Sequence, residues 1–94
     1  MKKLFLALML IVSSLCMDYV MKYDCPGSSF LLACEVTDYS GLYSVYCQCF
    51  LKGFERDIPP TMKVYRECSR MDQFPRCYHN NAFSPEILCN CYNA

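Results

Sequence analysis

The sequence contains no tryptophan, only three glycines and a single histidine, His79. A nucleophilic serine or cysteine needs a neighbouring base, and His79 is the one imidazole that could act as such a base. It is followed by Asn80 and Asn81, and no Gly-x-Ser-x-Gly or His-Glu-x-x-His motif occurs. We therefore expect that the protein is not an enzyme and has no catalytic residue.

Long hydrophobic runs are also missing, apart from one short run near the start of the sequence. Lys2 and Lys3 precede an apolar stretch from Leu4 to Val12, which is too short for a membrane span of about 20 residues. A basic pair followed by such a stretch is typical of a signal peptide. The pattern predicts a signal peptide over residues 1–16, cleaved before Met17 or alternatively after Ser14, and a secreted protein without a membrane span.

An excess of basic charge is absent. The whole chain has nine basic and nine acidic residues, and loss of Lys2 and Lys3 with the signal peptide leaves two more acidic than basic residues. Nucleic acids and anionic lipids attract clustered lysine and arginine. We expect neither kind of partner.

Cysteine, in contrast, is abundant, with nine in 94 residues. Cys16 falls within the predicted signal peptide, so eight remain, an even number. An exported chain with an even number of cysteines is expected to be fully oxidised. Because secretion disfavours zinc binding by these thiols, we predict four disulfides, no metal and no cofactor. The eight bridging residues are Cys25, Cys34, Cys47, Cys49, Cys68, Cys77, Cys89 and Cys91.

The cysteine spacing occurs twice along the chain. It is Cys-x8-Cys-x12-Cys-x-Cys from Cys25 and Cys-x8-Cys-x11-Cys-x-Cys from Cys68. Such a recurrence indicates an internal duplication. We predict a mature domain over residues 17–94 with repeat units at about 21–50 and 62–92 and a linker over residues 51–61.

If each unit bridges itself, few pairings remain. The side chains of an extended Cys-x-Cys segment point to the same face of a strand, and a bond between them would strain the short loop. Cys47 and Cys49 should therefore bond with Cys25 and Cys34, in one order or the other. The same two patterns are open to the second unit.

Local sequence signals predict a small disulfide-rich fold with short α+β elements. Phe30–Cys34 follows two serines that could cap a helix, so it is interpreted as a helical turn or a short strand. Helical starts are predicted at Ser69–Asp72, in a segment that ends near Pro75, and at Ser84. Leu42–Phe50 is rich in tyrosine and valine and is the best strand.

The linker contains Phe54-Glu55-Arg56-Asp57-Ile58-Pro59-Pro60. This segment resembles the reactive loop of Bowman-Birk type serine-protease inhibitors, in which a basic residue is followed shortly by a proline pair. The resemblance implies a possible inhibitory loop made of Arg56, Asp57, Ile58, Pro59 and Pro60, with Arg56 as the specificity residue and Arg56-Asp57 as the scissile bond. The alternative interpretation is a proline-stiffened linker with solvated charges.

A small, disulfide-stapled, tyrosine-rich chain without catalytic groups is typical of proteins that act by binding. We expect a venom toxin or secreted effector that acts on an extracellular protein target, namely a channel or a receptor. The alternative is a serine-protease inhibitor that uses the Arg56 loop.

Overall fold

A computed structural model of the protein describes residues 20–94, so the predicted signal peptide over residues 1–16 lies outside the described residues. The expectation of an α+β fold is wrong, because residues 20–94 contain no α-helix and are mostly strand. The small disulfide-rich character is present. The elements are β1 (Met21–Asp24), β2 (Phe30–Tyr39), β3 (Leu42–Leu51), a 3-10 turn η1 (Glu55–Asp57), β4 (Lys63–Glu67), β5 (Gln73–His79) and β6 (Leu88–Asn93).

Strands β2 and β3 form a hairpin closed by a two-residue turn at Ser40 and Gly41. Both turn residues have positive φ, 55° and 91°, as a type I′ turn requires, and glycine adopts such a backbone without steric cost. The Asp38 carboxylate accepts a hydrogen bond of 3.0 Å from the Gly41 amide. The predicted strand at Leu42–Phe50 is confirmed and extends one residue further, to Leu51.

The segment Phe30–Cys34 is the start of β2, so of its two interpretations the strand is correct and the helical turn is wrong. Strand β2 is the central strand of its sheet, with β3 on one side and β4 on the other. Four consecutive residues, Leu31–Cys34, are buried, so both faces of the sheet are covered at this point. A continuous apolar run of this length has no periodicity that separates strand from helix, so only pairing with the neighbouring strands decides the structure.

The two later helical starts are also wrong. Residues 69–72 form a turn, Ser84 lies in the loop between β5 and β6, and Pro75 is inside β5. Proline is rare in a central strand because it has no amide hydrogen to donate. Pro75 is tolerated because its nitrogen faces β1 just beyond the last residue of that strand, where strand pairing no longer requires an amide hydrogen. Its carbonyl accepts a hydrogen bond of 3.1 Å from the Cys25 amide.

The strands are exchanged between the two halves of the chain, β1–β3 and β4–β6. Sheet 1 has the order β1-β5-β6 and sheet 2 has the order β3-β2-β4, and all neighbouring strands are antiparallel. Each half thus builds a hairpin and lends its first strand to the hairpin of the other half. Sheet 2 has an irregularity between Leu32 and Ala33, where their partners Arg66 and Val64 leave Tyr65 unpaired as a β-bulge.

The hydrophobic core draws on both sheets. Leu32 of β2 and Val45 of β3 pack with three half-cystines, Cys25, Cys34 and Cys77, all of them buried. On β5 the inward positions Pro75, Cys77 and His79 alternate with less buried residues, as the period of a strand with one buried face requires. The disulfides are therefore part of the core itself.

The prediction of four disulfides is confirmed, and both partners of each bridge lie in the same half. Cys34–Cys47 and Cys77–Cys89 join directly opposite residues within a hairpin, with Cα atoms 4.0 Å apart in each case. The other two, Cys25–Cys49 and Cys68–Cys91, join the residue after a lent strand to the last strand of its own half. Because that lent strand belongs to the opposite sheet, these two bridges connect sheet 1 with sheet 2.

The two halves also share hydrogen bonds at equivalent positions counted from their first cysteines. One such bond closes the turn after that cysteine, and another joins the end of the last strand to the same turn. The bonds run from Phe30 N to Gly27 O and from Gln73 N to Arg70 O (3.4 and 3.1 Å), and from Lys52 N to Ser29 O and from Ala94 N to Asp72 O (2.9 and 2.8 Å).

Candidate binding surface

The residues of the possible inhibitory loop, Arg56 to Pro60, lie between β3 and β4. Arg56 and Asp57 are exposed and belong to the 3-10 turn η1, which no side-chain hydrogen bond caps. The Gly53 amide donates a hydrogen bond of 3.1 Å to the Glu55 carboxylate. The pKa of that carboxyl is lowered by a hydrogen bond from the backbone of Glu55 itself and by the bond from Gly53. The loop therefore has a folded, helical backbone at the residue that the resemblance assigns to specificity.

Three of the four exposed large hydrophobic side chains of the β2–β3 hairpin share one face, and the fourth, Leu51, lies at the end of β3. Successive strand residues point to opposite faces, and the register pairs Glu35 with Tyr46, Thr37 with Ser44, and Tyr39 with Leu42 on the face that points away from the core. We call these six residues the hairpin face. Tyr39, Leu42 and Tyr46 are 63%, 48% and 55% exposed. Among these cross-strand pairs the small polar pair lies between two larger ones.

The hairpin face is held in place from behind. Val45 and Val36 alternate with the face residues on the opposite side of the hairpin and pack into or against the core. The Cys34–Cys47 disulfide joins the two strands one residue from Glu35 and Tyr46. The Tyr23 hydroxyl donates a hydrogen bond of 2.6 Å to the Val45 carbonyl, and the Tyr43 amide donates one of 2.7 Å to the Ala82 carbonyl. These contacts fix the backbone on which the exposed rings stand.

The charge near the hairpin face is of one sign. No lysine or arginine occurs between residues 23 and 51, whereas Glu35 lies on the face and Asp38 follows Thr37. Neither carboxylate forms a salt bridge within residues 20–94. Lys63 of the neighbouring strand β4 pairs with Cys34, a residue of the core side, and its ammonium lies over the Tyr65 ring at 4.9 Å.

Sheet 1 carries a second polar and aromatic cluster on its outer face. The Arg76 guanidinium lies 4.9 Å from the centre of the Tyr92 ring and 5.1 Å from that of Phe74, and it donates two hydrogen bonds to the Asp24 carboxylate. Those bonds lower the pKa of Asp24, partial burial opposes the effect, and the charge of Arg76 adds to it. The ion pair joins β5 to β1, and the contact with the Tyr92 ring joins β5 to β6. This cluster therefore ties the three strands together.

His79 is fully buried, and its Nε2 lies 2.7 Å from the Ser84 carbonyl oxygen. A carbonyl only accepts hydrogen bonds, so Nε2 carries the proton and donates. The Ser84 hydroxyl in turn accepts a bond from the Glu86 amide. The imidazole therefore anchors the loop between β5 and β6 through Nε2. Within residues 20–94, no three His, Cys, Asp or Glu side chains are grouped so as to hold a metal ion.

No helix in residues 20–94 has the length and apolar character needed to cross a membrane. Among the sequence-based site residues, the eight cysteines are brought together in pairs, whereas the Arg56 loop stays apart from them. The hairpin face was missed by sequence reasoning. The signal that could have found it is Ser40-Gly41 between two runs rich in β-branched and aromatic residues, which is a hairpin pattern.

The fold and the exposed face define a small all-β protein stapled by four disulfides, with an aromatic surface on a rigid hairpin. No family model matches the chain, and neither the curated proteins nor the solved structures gave a match.

Proposed function

We propose that the protein is secreted and acts by binding an extracellular target, a channel or a receptor, as a venom toxin or secreted effector does. Four disulfides support the extracellular location, because such bonds persist in oxidising compartments. The signal-peptide pattern of residues 1–16 supports it independently. We further propose that the two halves arose by duplication, which the equivalent bridges and hydrogen bonds support.

The observation that carries the proposal is the exposure of Tyr39, Leu42 and Tyr46 together on the hairpin face. Exposed tyrosines supply a large contact area with few rotatable bonds, and they are enriched where proteins bind one another. Because the hairpin is already fixed by a disulfide and core packing, binding would cost little conformational entropy. The hairpin face is therefore the proposed contact surface.

The test is saturable binding of the labelled, oxidised protein to intact cells, with unlabelled protein as competitor. The triple variant Tyr39→Ser, Leu42→Ser, Tyr46→Ser is expected to lose this binding, while Met71→Ser retains it. Met71 is 94% exposed but lies on the turn before β5, so its variant controls for loss of exposed apolar area. Equal binding by both variants would contradict the role of the hairpin face.

The protease-inhibitor alternative has one supporting observation, the exposure of Arg56 on a segment stiffened by Pro59 and Pro60. Entry of this segment into a protease cleft as an extended chain would require η1 to unwind. A trypsin assay with the wild-type protein and Arg56→Ala separates the functions. Failure of the wild-type protein to slow trypsin would exclude the inhibitor.

A further inference from the structure

The positive charges of the described chain all lie outside the β2–β3 hairpin. In residues 20–94 the lysines and arginines are at positions 22, 52, 56, 63, 66, 70 and 76. Three of the carboxylates elsewhere are matched by these cations, in the pairs Asp24–Arg76, Glu67–Lys52 and Asp72–Arg70. Glu35 and Asp38 have no such match, so the hairpin presents unmatched negative charge beside exposed aromatic rings.

The order of side chains on the hairpin face suits a cationic group. Glu35 and Tyr46 are direct cross-strand neighbours, so a carboxylate and the face of a phenol ring adjoin at one end. Tyr39 and Leu42 form the other end, about 13 Å away along the strands at the usual rise per residue. An ammonium or guanidinium is attracted both to a carboxylate and to a ring face, while the alkyl stem of the same side chain packs on apolar surface.

We propose that the hairpin face binds a protein segment whose arginine or lysine side chain contacts one end of the face and whose aliphatic side chain contacts the other. The cation lies between Glu35 and Tyr46, and the aliphatic residue packs on Tyr39 and Leu42. This inference rests on the proposed function and names the chemistry of its target. Anionic lipid headgroups and phosphate backbones are disfavoured as occupants, because Glu35 and Asp38 repel them.

The experiment is a titration of the 15N-labelled, oxidised protein by NMR with a blocked peptide of sequence GRLRG at low ionic strength. The charge-reversed peptide GELEG is the control ligand. GRLRG is expected to shift the amide signals of residues 35–46, with weaker binding when salt is added, and GELEG is expected to leave them unchanged. Shifts confined to other residues, or equal shifts with GELEG, would overturn the proposal.

Two variants locate the cation. Glu35→Gln and Tyr46→Leu are each expected to raise the dissociation constant for GRLRG about threefold, the size of one exposed charge or cation–π contact. Asp57→Asn removes the same charge from the linker and is expected to bind as the wild type does. An unchanged dissociation constant in Glu35→Gln refutes the cation site.

The outcomes for the two proposals can be told apart. If the triple hairpin variant abolishes cell binding but GRLRG does not bind the wild-type protein, the hairpin face is a contact surface for an uncharged target and the cation inference alone fails. If GRLRG binds at the hairpin face but cells do not bind the protein, the proposed cellular target fails instead.

Discussion

Arg76 shows how one side chain can tie three strands together. It extends from β5, forms an ion pair with Asp24 of β1 and lies over the ring of Tyr92 on β6. Because more than a third of the Asp24 side chain is exposed, solvent screening limits the pair to about 0.5–1 kcal/mol of stability. The ring contacts add a contribution that does not depend on the ionisation of Asp24.

The effect of pH on this pair has a definite sign. Folding lowers the pKa of Asp24 below its ordinary value of 3.8, so the ionised form is favoured in the folded protein. The stabilisation is therefore complete above that ordinary value and is lost as pH falls through the lower folded value. Asp24→Asn should lower the free energy of unfolding by about 0.5–1 kcal/mol at pH 6.

Urea unfolding of Asp24→Asn and the wild type at several pH values checks this prediction. The difference between the two proteins should shrink as pH falls below 3.8. Asp57→Asn, at an exposed position without a salt bridge within residues 20–94, is the matched control and should behave as the wild type at every pH. A difference that stays constant down to pH 2 would show that Asp24 does not act through its charge.

Among the structural elements, the disulfides have two distinct roles. Cys34–Cys47 and Cys77–Cys89 join the strands of one hairpin, which backbone pairing already holds together. Cys25–Cys49 and Cys68–Cys91 join the two sheets, where fewer backbone hydrogen bonds cross. We therefore expect the intersheet bridges to be the more important ones for stability.

Paired alanine substitutions test this difference. Chain entropy alone predicts that either bridge stabilises the folded protein by about 3 kcal/mol. The bridge that closes the larger loop should stabilise it by about 0.5 kcal/mol more. The separations are 24 residues for Cys25–Cys49 and 13 for Cys34–Cys47. Removal of Cys25–Cys49 should lower the free energy of unfolding in urea more than removal of Cys34–Cys47 does, by clearly more than about 0.5 kcal/mol. Equal losses from both pairs would mean that the link between the sheets adds nothing.

The whole molecule is held together by reciprocal strand exchange. The linker starts at the end of β3 and must cross β2 to reach β4 on the far side of sheet 2. The linker must also run back along the sheet. The last residue of β3, Leu51, lies opposite Phe30, whereas the first residue of β4, Lys63, lies opposite Cys34. Exchange within one chain therefore depends on a linker long enough for this path.

Shortening the linker should convert exchange within one chain into exchange between two chains. Deletion of residues 54–60 leaves four linker residues, which reach about 16 Å when fully extended, close to the minimum for crossing one strand and returning along the sheet. We expect a dimer with unchanged far-ultraviolet circular dichroism, detected by light scattering after size-exclusion chromatography. Replacement of residues 54–60 by seven glycine and serine residues should leave the oligomeric state of the wild type. A shortened protein with the oligomeric state of the wild type would contradict this account of the linker.

Part of the structure could be predicted from the sequence because it depends on counting and on local pattern. The even number of cysteines after Cys16 indicated four disulfides, and the Cys-x-Cys geometry reduced each unit to two pairings. The tyrosines and the valine before Cys47 indicated β3. These features are encoded within a few residues of one another, so they do not depend on the rest of the chain.

The tertiary structure alone decided the fold class, the strand exchange and the hairpin face. Phe30–Cys34 and Ser69–Asp72 carry helix-start signals worth about 1 kcal/mol each, and the many nonlocal contacts of β2 and β5 outweigh them. The exchange of β1 and β4 joins residues far apart in the chain, such as Asp24 and Arg76, and no local propensity reports such a pairing. The sequence by itself thus determined which residues are covalently stapled, while long-range strand pairing determined which side chains are left exposed.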